Sequence, residues 1–144
     1  PIPGVVDACR RLAGAGFCLV VVSNQGLVAR GHGTLEQVEA TNDALRRIFV
    51  DEHRRGLLAA IYHCPWHPVG RVAEFTREHP WRKPAPGMLL AAAAALGLDL
   101  ARSWCVGDKE RDLEAGRRAG IPADRCVLVT PTRTLEHVAP QMIG

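Results

Sequence analysis

Phe17-Cys18-Leu19-Val20-Val21-Val22 runs without one polar side chain and gives way at once to Ser23-Asn24-Gln25-Gly26. A short, unbroken, Val-rich run of this kind reads as a strand buried on both faces, the situation of a strand in a parallel sheet. The polar stretch behind it therefore stands at the strand's carboxyl end, where open α/β sheets bind their ligands.

Working outward, the same alternation of helix and strand extends along the chain. Upstream, Val5, Ala8, Cys9 and Leu12 recur at helical spacing with Asp7, Arg10 and Arg11 opposite, and Gly14-Ala15-Gly16 ends that helix. Downstream, Thr34 and Gln37 form a capping box for a second helix carrying Val38, Thr41, Leu45, Ile48 and Phe49, which Gly56 breaks. Residues 57–62 read as a second strand, and 64–86 as a long loop punctuated by Pro65, Pro68, Pro80, Pro84 and Pro86. An Ala-rich helix over 87–96 is closed by Gly97. A short strand over 103–106 runs into Gly107-Asp108, and a helix over 110–119 is stopped by Gly120. A fourth strand spans 126–129, and nothing after Thr130 shows a period. This alternation predicts one α/β domain over 1–144, a Rossmann-like parallel sheet with helices on both faces.

Composition narrows the function. The chain has 144 residues, 47% of them hydrophobic and 23% charged, which suits an ordinary globular domain. A net charge of +3, spread along the chain, argues against nucleic acid as a partner. No apolar run is long enough to span a bilayer, so no membrane partner is expected. Five cysteines without a framework spacing point to a reducing compartment, and the expected location is cytoplasmic.

Three polar clusters fall at or beyond strand ends: Ser23-Asn24-Gln25, Arg82-Lys83 in the Pro-rich loop, and Gly107-Asp108-Lys109 with Asp112 a helical turn later. They supply a hydroxyl, amides, cations and two carboxylates. Hydroxyl and loop N–H groups suit phosphate oxygens. A lysine suits charge developing on a phosphoryl group, and carboxylates suit magnesium.

In this order, Val22-Ser23-Asn24-Gln25, Ala29-Arg30-Gly31, Arg82-Lys83-Pro84 with Pro86-Gly87-Met88, and Val106-Gly107-Asp108-Lys109 with Asp112 resemble the haloacid dehalogenase superfamily. More narrowly, they resemble its D,D-heptose 1,7-bisphosphate phosphatases, with the histidinol phosphatases as relatives. The resemblance implies a Mg2+-dependent phosphomonoesterase acting on a small sugar phosphate, as a monomer, in the making of heptose precursors of the bacterial cell surface. It implies that Ser23 binds the transferring phosphoryl group, with Asn24 and Gln25 completing the loop. Arg82 and Lys109 would contact the substrate. Lys83 would be the catalytic cation, holding nucleophile and phosphoryl oxygens. Asp108 would be the magnesium ligand and Asp112 would lie in the metal's outer shell. A histidinol-phosphate phosphatase and a non-catalytic, phosphate- or partner-binding remnant are the alternatives.

Three departures qualify the resemblance. The family's nucleophile sits in an Asp-x-Asp segment on a first, central strand, and the 144 residues contain no such pair; Asp7, inside a helix, is no substitute. The chain as given is therefore expected to be inactive, incomplete at its N-terminus, and to expose apolar strand edges. Many relatives hold a structural zinc in the loop after the second strand through Cys and His. Here only Cys64, His67 and His79 are available, with Trp66 and Trp81 at ligand positions, so Zn2+ is not expected. Finally, Gly26-Leu27 stands where relatives more often have Ser-Gly.

Overall fold

The computed structural model describes residues 4–144. Helix α1 (Val5–Gly14) leads into β1 (Leu19–Asn24), followed by α2 (Leu35–Ile48), β2 (Leu58–Cys64), α3 (Gly87–Leu96), β3 (Cys105–Gly107), α4 (Glu110–Ala119), β4 (Cys126–Leu128) and α5 (Leu135–Ile143). The first three residues of the expected opening helix, 1–3, lie outside the described residues. Asp7 lies within α1, as expected.

The strands are parallel, but they form two pairs instead of one sheet. β1 pairs with β2 from Leu19↔Leu58 to Asn24↔Cys64, and β3 pairs with β4 from Cys105↔Cys126 to Gly107↔Leu128. An apolar cleft of about 640 Å³ lies between the pairs, lined by Leu19, Val20 and Val21 of β1, Val106 of β3 and Cys9 and Leu12 of α1. Residues of β1 and β3, the strands at which apolar edges are expected, contribute to the lining of this cleft.

Capping chemistry fixes the helices that flank the polar clusters. Thr34 Oγ1 accepts the Gln37 N–H at 3.1 Å while Gln37 Oε1 accepts the Thr34 N–H at 2.9 Å, the predicted reciprocal box. α3 ends at Gly97 and α4 at Gly120, both in the left-handed conformation that suits a glycine closing a helix. α5 was not expected from the sequence. It packs on α1 through a small core of Ala8, Leu12 and Ala139, with Phe17, Leu19, Leu135 and Met142 around it. Among the described residues, no helix is long and apolar enough to cross a membrane. The five cysteines are all free, with Cys9, Cys64 and Cys105 buried. Burial pushes the Cys105 thiol up to about 11, so it behaves as an inert apolar side chain.

Candidate functional site

The β1–β2 ladder runs on through Ser23↔His63 and Asn24↔Cys64, so Ser23 and Asn24 are the last strand residues and not part of a following turn. The Gln25 N–H donates to Cys64 O at 2.7 Å and pins the exit of β1 to the exit of β2. Gln25 then folds back, and its Nε2 donates to Ser23 Oγ at 2.9 Å. The Ser23 hydroxyl proton has only a long, 3.5 Å contact with Asn24 O. An oxygen occupied as acceptor but free as donor is oriented for an anion.

Asn24 is tied to a residue far along the chain. Its Oδ1 accepts the Lys83 N–H at 3.0 Å and its Nδ2 donates to Lys83 O at 3.2 Å. Each polar atom of the amide bonds the backbone of one residue, so Asn24 clamps Lys83 to the end of β1, with the second N–H of Nδ2 left free. The Lys83–Pro84 peptide within this clamp is cis.

Lys83 in turn reaches across to the second pair of strands. Its Nζ lies 2.6 Å from Asp112 Oδ1 and 3.1 Å from Val22 O, and both side chains of the ion pair are only 12% exposed. Asp112 also accepts the Lys109 N–H through Oδ2 at 3.1 Å, at the start of α4. Burial raises the Asp112 carboxyl, but the hydrogen bond and charge of Lys83 and the Lys109 N–H outweigh it and hold the group below its usual 3.8. An ammonium has three N–H donors. Two are committed here, which leaves one for a phosphoryl oxygen.

Gly107 is required by this arrangement. A Cβ there would lie 2.3 Å from Asp112 Cβ and 2.7 Å from Asp112 Oδ2. The strand end must be bare for the carboxylate to reach Lys83.

Asp108 and Lys109 are exposed. Among the described residues, the Asp108 carboxylate enters no hydrogen bond or ion pair, while both oxygens of Asp112 are taken. That donor chemistry fits magnesium at Asp108, since the ion binds through one or two carboxylates plus phosphate oxygens and water. It also fits Asp112 outside the first ring of ligands.

The zinc candidates are arranged differently. Cys64 Sγ points at Trp66 O, at 3.8 Å, and burial raises its thiol. His67 Nδ1 accepts the Val69 N–H at 2.9 Å, and His79 Nδ1 accepts the Trp81 N–H at 3.0 Å. The His79 ring stacks on Trp66 with centroids 3.8 Å apart and planes 9° from parallel, and the Arg77 guanidinium sits 5.3 Å from the centroid of the Trp66 ring. Burial, with the charge of Arg77, lowers the His79 pKa and favours the neutral, stacking form. Among the described residues no group of three or more His, Cys, Asp or Glu is placed to hold a metal. Cys64, His67 and His79 are thus each engaged within their own loop and do not converge on one point.

Comparison with known proteins gives the site a context. Residues 80–139, which contain Arg82, Lys83, Asp108, Lys109 and Asp112, match the HAD-hydrolase-like family profile. The chain is 47% identical over 121 residues to the D-glycero-beta-D-manno-heptose-1,7-bisphosphate 7-phosphatase of Yersinia pestis, covering 83% of this chain and 63% of that protein. It is 45% identical over 120 residues to the Escherichia coli K12 phosphatase of the same name, covering 83% of this chain and 62% of that one. The chain thus spans less than two thirds of the length of these relatives. Its fold superposes with a TM-score of 0.76 on the crystal structure of the D,D-heptose 1,7-bisphosphate phosphatase from B. bronchiseptica complexed with magnesium and phosphate. That match has 30% identity and covers 98% of this chain and 82% of the other.

Proposed function

The chain belongs to the D-glycero-D-manno-heptose-1,7-bisphosphate 7-phosphatase family of HAD-like hydrolases, and from that premise we propose that it hydrolyses a phosphomonoester of a sugar bisphosphate, releasing the 7-phosphate of a heptose 1,7-bisphosphate with magnesium. The observation that carries this reading is the Lys83 ammonium, held by Asp112 and Val22 O with a donor to spare, beside the Ser23 hydroxyl at the end of β1.

In this reading Ser23 O–H and Lys83 Nζ hold two oxygens of the reacting phosphoryl group. Their attraction grows as charge builds on those oxygens in the transition state. Asn24 and Asp112 keep Lys83 at that point through the reaction, so no reorganisation is needed as charge develops. Asp108, with phosphate oxygens, would hold Mg2+, whose charge offsets repulsion between the anionic substrate and an anionic nucleophile. In the family the nucleophile is an aspartate of an Asp-x-Asp segment, a pair these 144 residues do not contain; the apolar lining of the cleft between β1 and β3 is compatible with a strand carrying it. That carboxylate would attack phosphorus as the P–O bond to the sugar breaks, the sugar leaving as an alcohol protonated by the second Asp of the segment. Water activated by the same Asp would then cleave the aspartyl phosphate to inorganic phosphate and the free carboxylate.

Phosphate release by the native full-length protein tests the reading. Heptose 1,7-bisphosphate and histidinol phosphate are offered side by side, with magnesium and with EDTA. Magnesium-dependent preference for the bisphosphate is the expected result. Preference for histidinol phosphate replaces the sugar by the amino alcohol. Phosphate binding by calorimetry without any turnover makes the protein a phosphate-binding module.

A further inference from the structure

β3 and β4 each begin on a cysteine. Cys105 and Cys126 are direct partners in the parallel ladder, and both are free thiols. Neighbouring strands lie about 4.8 Å apart, and a disulfide needs Cα atoms about 4.4–6.8 Å apart. The backbone is therefore already spaced for a bond between the two. The side chains agree. A Cβ on Gly116 of α4 would lie 2.9 Å from Cys105 Sγ and 3.1 Å from Cys126 Sγ. Both sulfurs thus turn to the same face of the strand pair and converge on one bare backbone position.

Neither sulfur is held firmly elsewhere. Cys105 Sγ lies 3.4 Å from Asp112 O and Cys126 Sγ 3.9 Å from Ile121 O, and a thiol is a weak donor. The two thiols differ in access, since Cys105 is buried and Cys126 is partly exposed. Burial first, and then the charge of Cys126, raises the Cys105 thiol, so the two groups are close enough to sense each other. Left to itself, Cys105 stays protonated and unreactive. A reacted sulfur on Cys126 beside it would change that.

We infer that Cys105 and Cys126 form a dithiol–disulfide pair, a redox modification site that ties β3 to β4 behind the strand end carrying Gly107 and Asp108. The oxidant is a small disulfide of the glutathione class. Cys126 loses its proton to solvent and its thiolate attacks one sulfur of the reagent; the reagent's S–S bond breaks, and one thiolate leaves and takes up a proton. Cys105 then gives its proton to solvent and attacks Cys126 Sγ, and the second thiolate is expelled and protonated. Two protein thiols are oxidised to one disulfide, and the small disulfide is reduced to two thiols. Cys126, the accessible member, starts the exchange, and Cys105 completes it.

The exchange needs no turnover, so its outcome is independent of the phosphatase reading. The native full-length protein is incubated with oxidised glutathione, capped with iodoacetamide and cut with trypsin without reduction. Cleavage after Arg102, Lys109, Arg125 and Arg133 puts the two cysteines in separate peptides, 103–109 and 126–133. The expected product is these two peptides joined, from protein that runs as a single chain on a non-reducing gel, and parted by reduction. Cys105→Ala should instead leave Cys126 carrying glutathione, and Cys126→Ala should leave Cys105 unmodified. Separate 103–109 and 126–133 peptides from the wild type, whether capped or carrying glutathione, overturn the pair. A disulfide joining either cysteine to Cys9, Cys18, Cys64 or a second chain overturns it as well.

Discussion

Lys83 Nζ and Asp112 Oδ1 stand 2.6 Å apart and join the two pairs of strands, since Asn24 clamps Lys83 to the end of β1 and Asp112 opens α4 behind β3. The pair is largely buried, and such pairs are more costly to break than to replace. Asp112→Ala is expected to destabilise the protein by about 3 kcal/mol or more, because it leaves an ammonium with no counter-charge. The double variant Lys83→Met/Asp112→Leu should regain most of that loss and remain without phosphatase activity. Urea denaturation of the two variants checks this. A double variant as unstable as Asp112→Ala would mean that the pair is not the origin of the loss.

The same contact makes stability acid-sensitive. The Asp112 carboxyl is held below its usual 3.8 in the folded chain. Its contribution is therefore complete above that value and disappears as pH falls through the lower, folded-state value. Unfolding free energy measured between neutral pH and strong acid should fall in that acid window. Asp112→Asn should flatten the fall, since the amide does not titrate. Parallel curves for wild type and variant would assign the acid sensitivity elsewhere.

Gly107 gives a test that leaves every charged group in place. Gly107→Ala puts a methyl 2.3 Å from Asp112 Cβ. Overpacking of that kind costs about 1–3 kcal/mol, and the displaced carboxylate releases Lys83. A reduced kcat with little change in KM is expected, because in the proposed mechanism Lys83 acts on charge that develops in the transition state. A normal kcat would show that the end of β3 yields without moving Asp112.

Much of this was legible in the sequence, and the misses have physical causes. α3 and α4 have the boundaries their glycine stops predict, because a left-handed C-cap is a local signal. β1 and β2 extend two residues beyond their apolar runs. Main-chain pairing with the neighbouring strand continues there regardless of polar side chains. α5 escaped because it is short, contains Pro140, and is capped by Thr134 with His137 where Glu or Gln is the usual partner. In the site, residue types and order placed Ser23, Lys83 and Asp112 in one constellation. The diversion of Asn24 to the Lys83 backbone depends on a contact between residues 59 apart, for which spacing carries no signal. His67 was read only as a zinc candidate; its place beside Gly26 is set by the backbone bonds of Arg71 and Val72 to Ala29, another long-range contact.

A substitution at Asp108 would separate the proposed magnesium binding from folding. It is exposed and, among the described residues, holds nothing in place, so Asp108→Asn should leave thermal stability within about 0.5 kcal/mol of wild type. In the native full-length protein the same change should abolish magnesium-dependent turnover, and added magnesium should no longer raise Tm. A variant that still responds to magnesium would remove Asp108 from the metal site.

The loop after β2 should hold its shape without zinc. The Trp66–His79 stack, with Arg77 over the same indole and the Trp81 ring edge-on to Tyr62, occupies the segment that would otherwise need a metal to order it. Stacked and cation–π contacts of this kind contribute about 0.5–1.5 kcal/mol each beyond the area they bury. Trp66→Ala removes two of them together with a large indole, so a loss of about 3 kcal/mol is expected. Prolonged chelation, by contrast, should leave the melting temperature of the wild type where it was, and metal analysis after dialysis should find no stoichiometric zinc. A chelator-induced drop in Tm, restored by zinc alone, would show that Cys64, His67 and His79 regroup around an ion and that the aromatic stack is secondary.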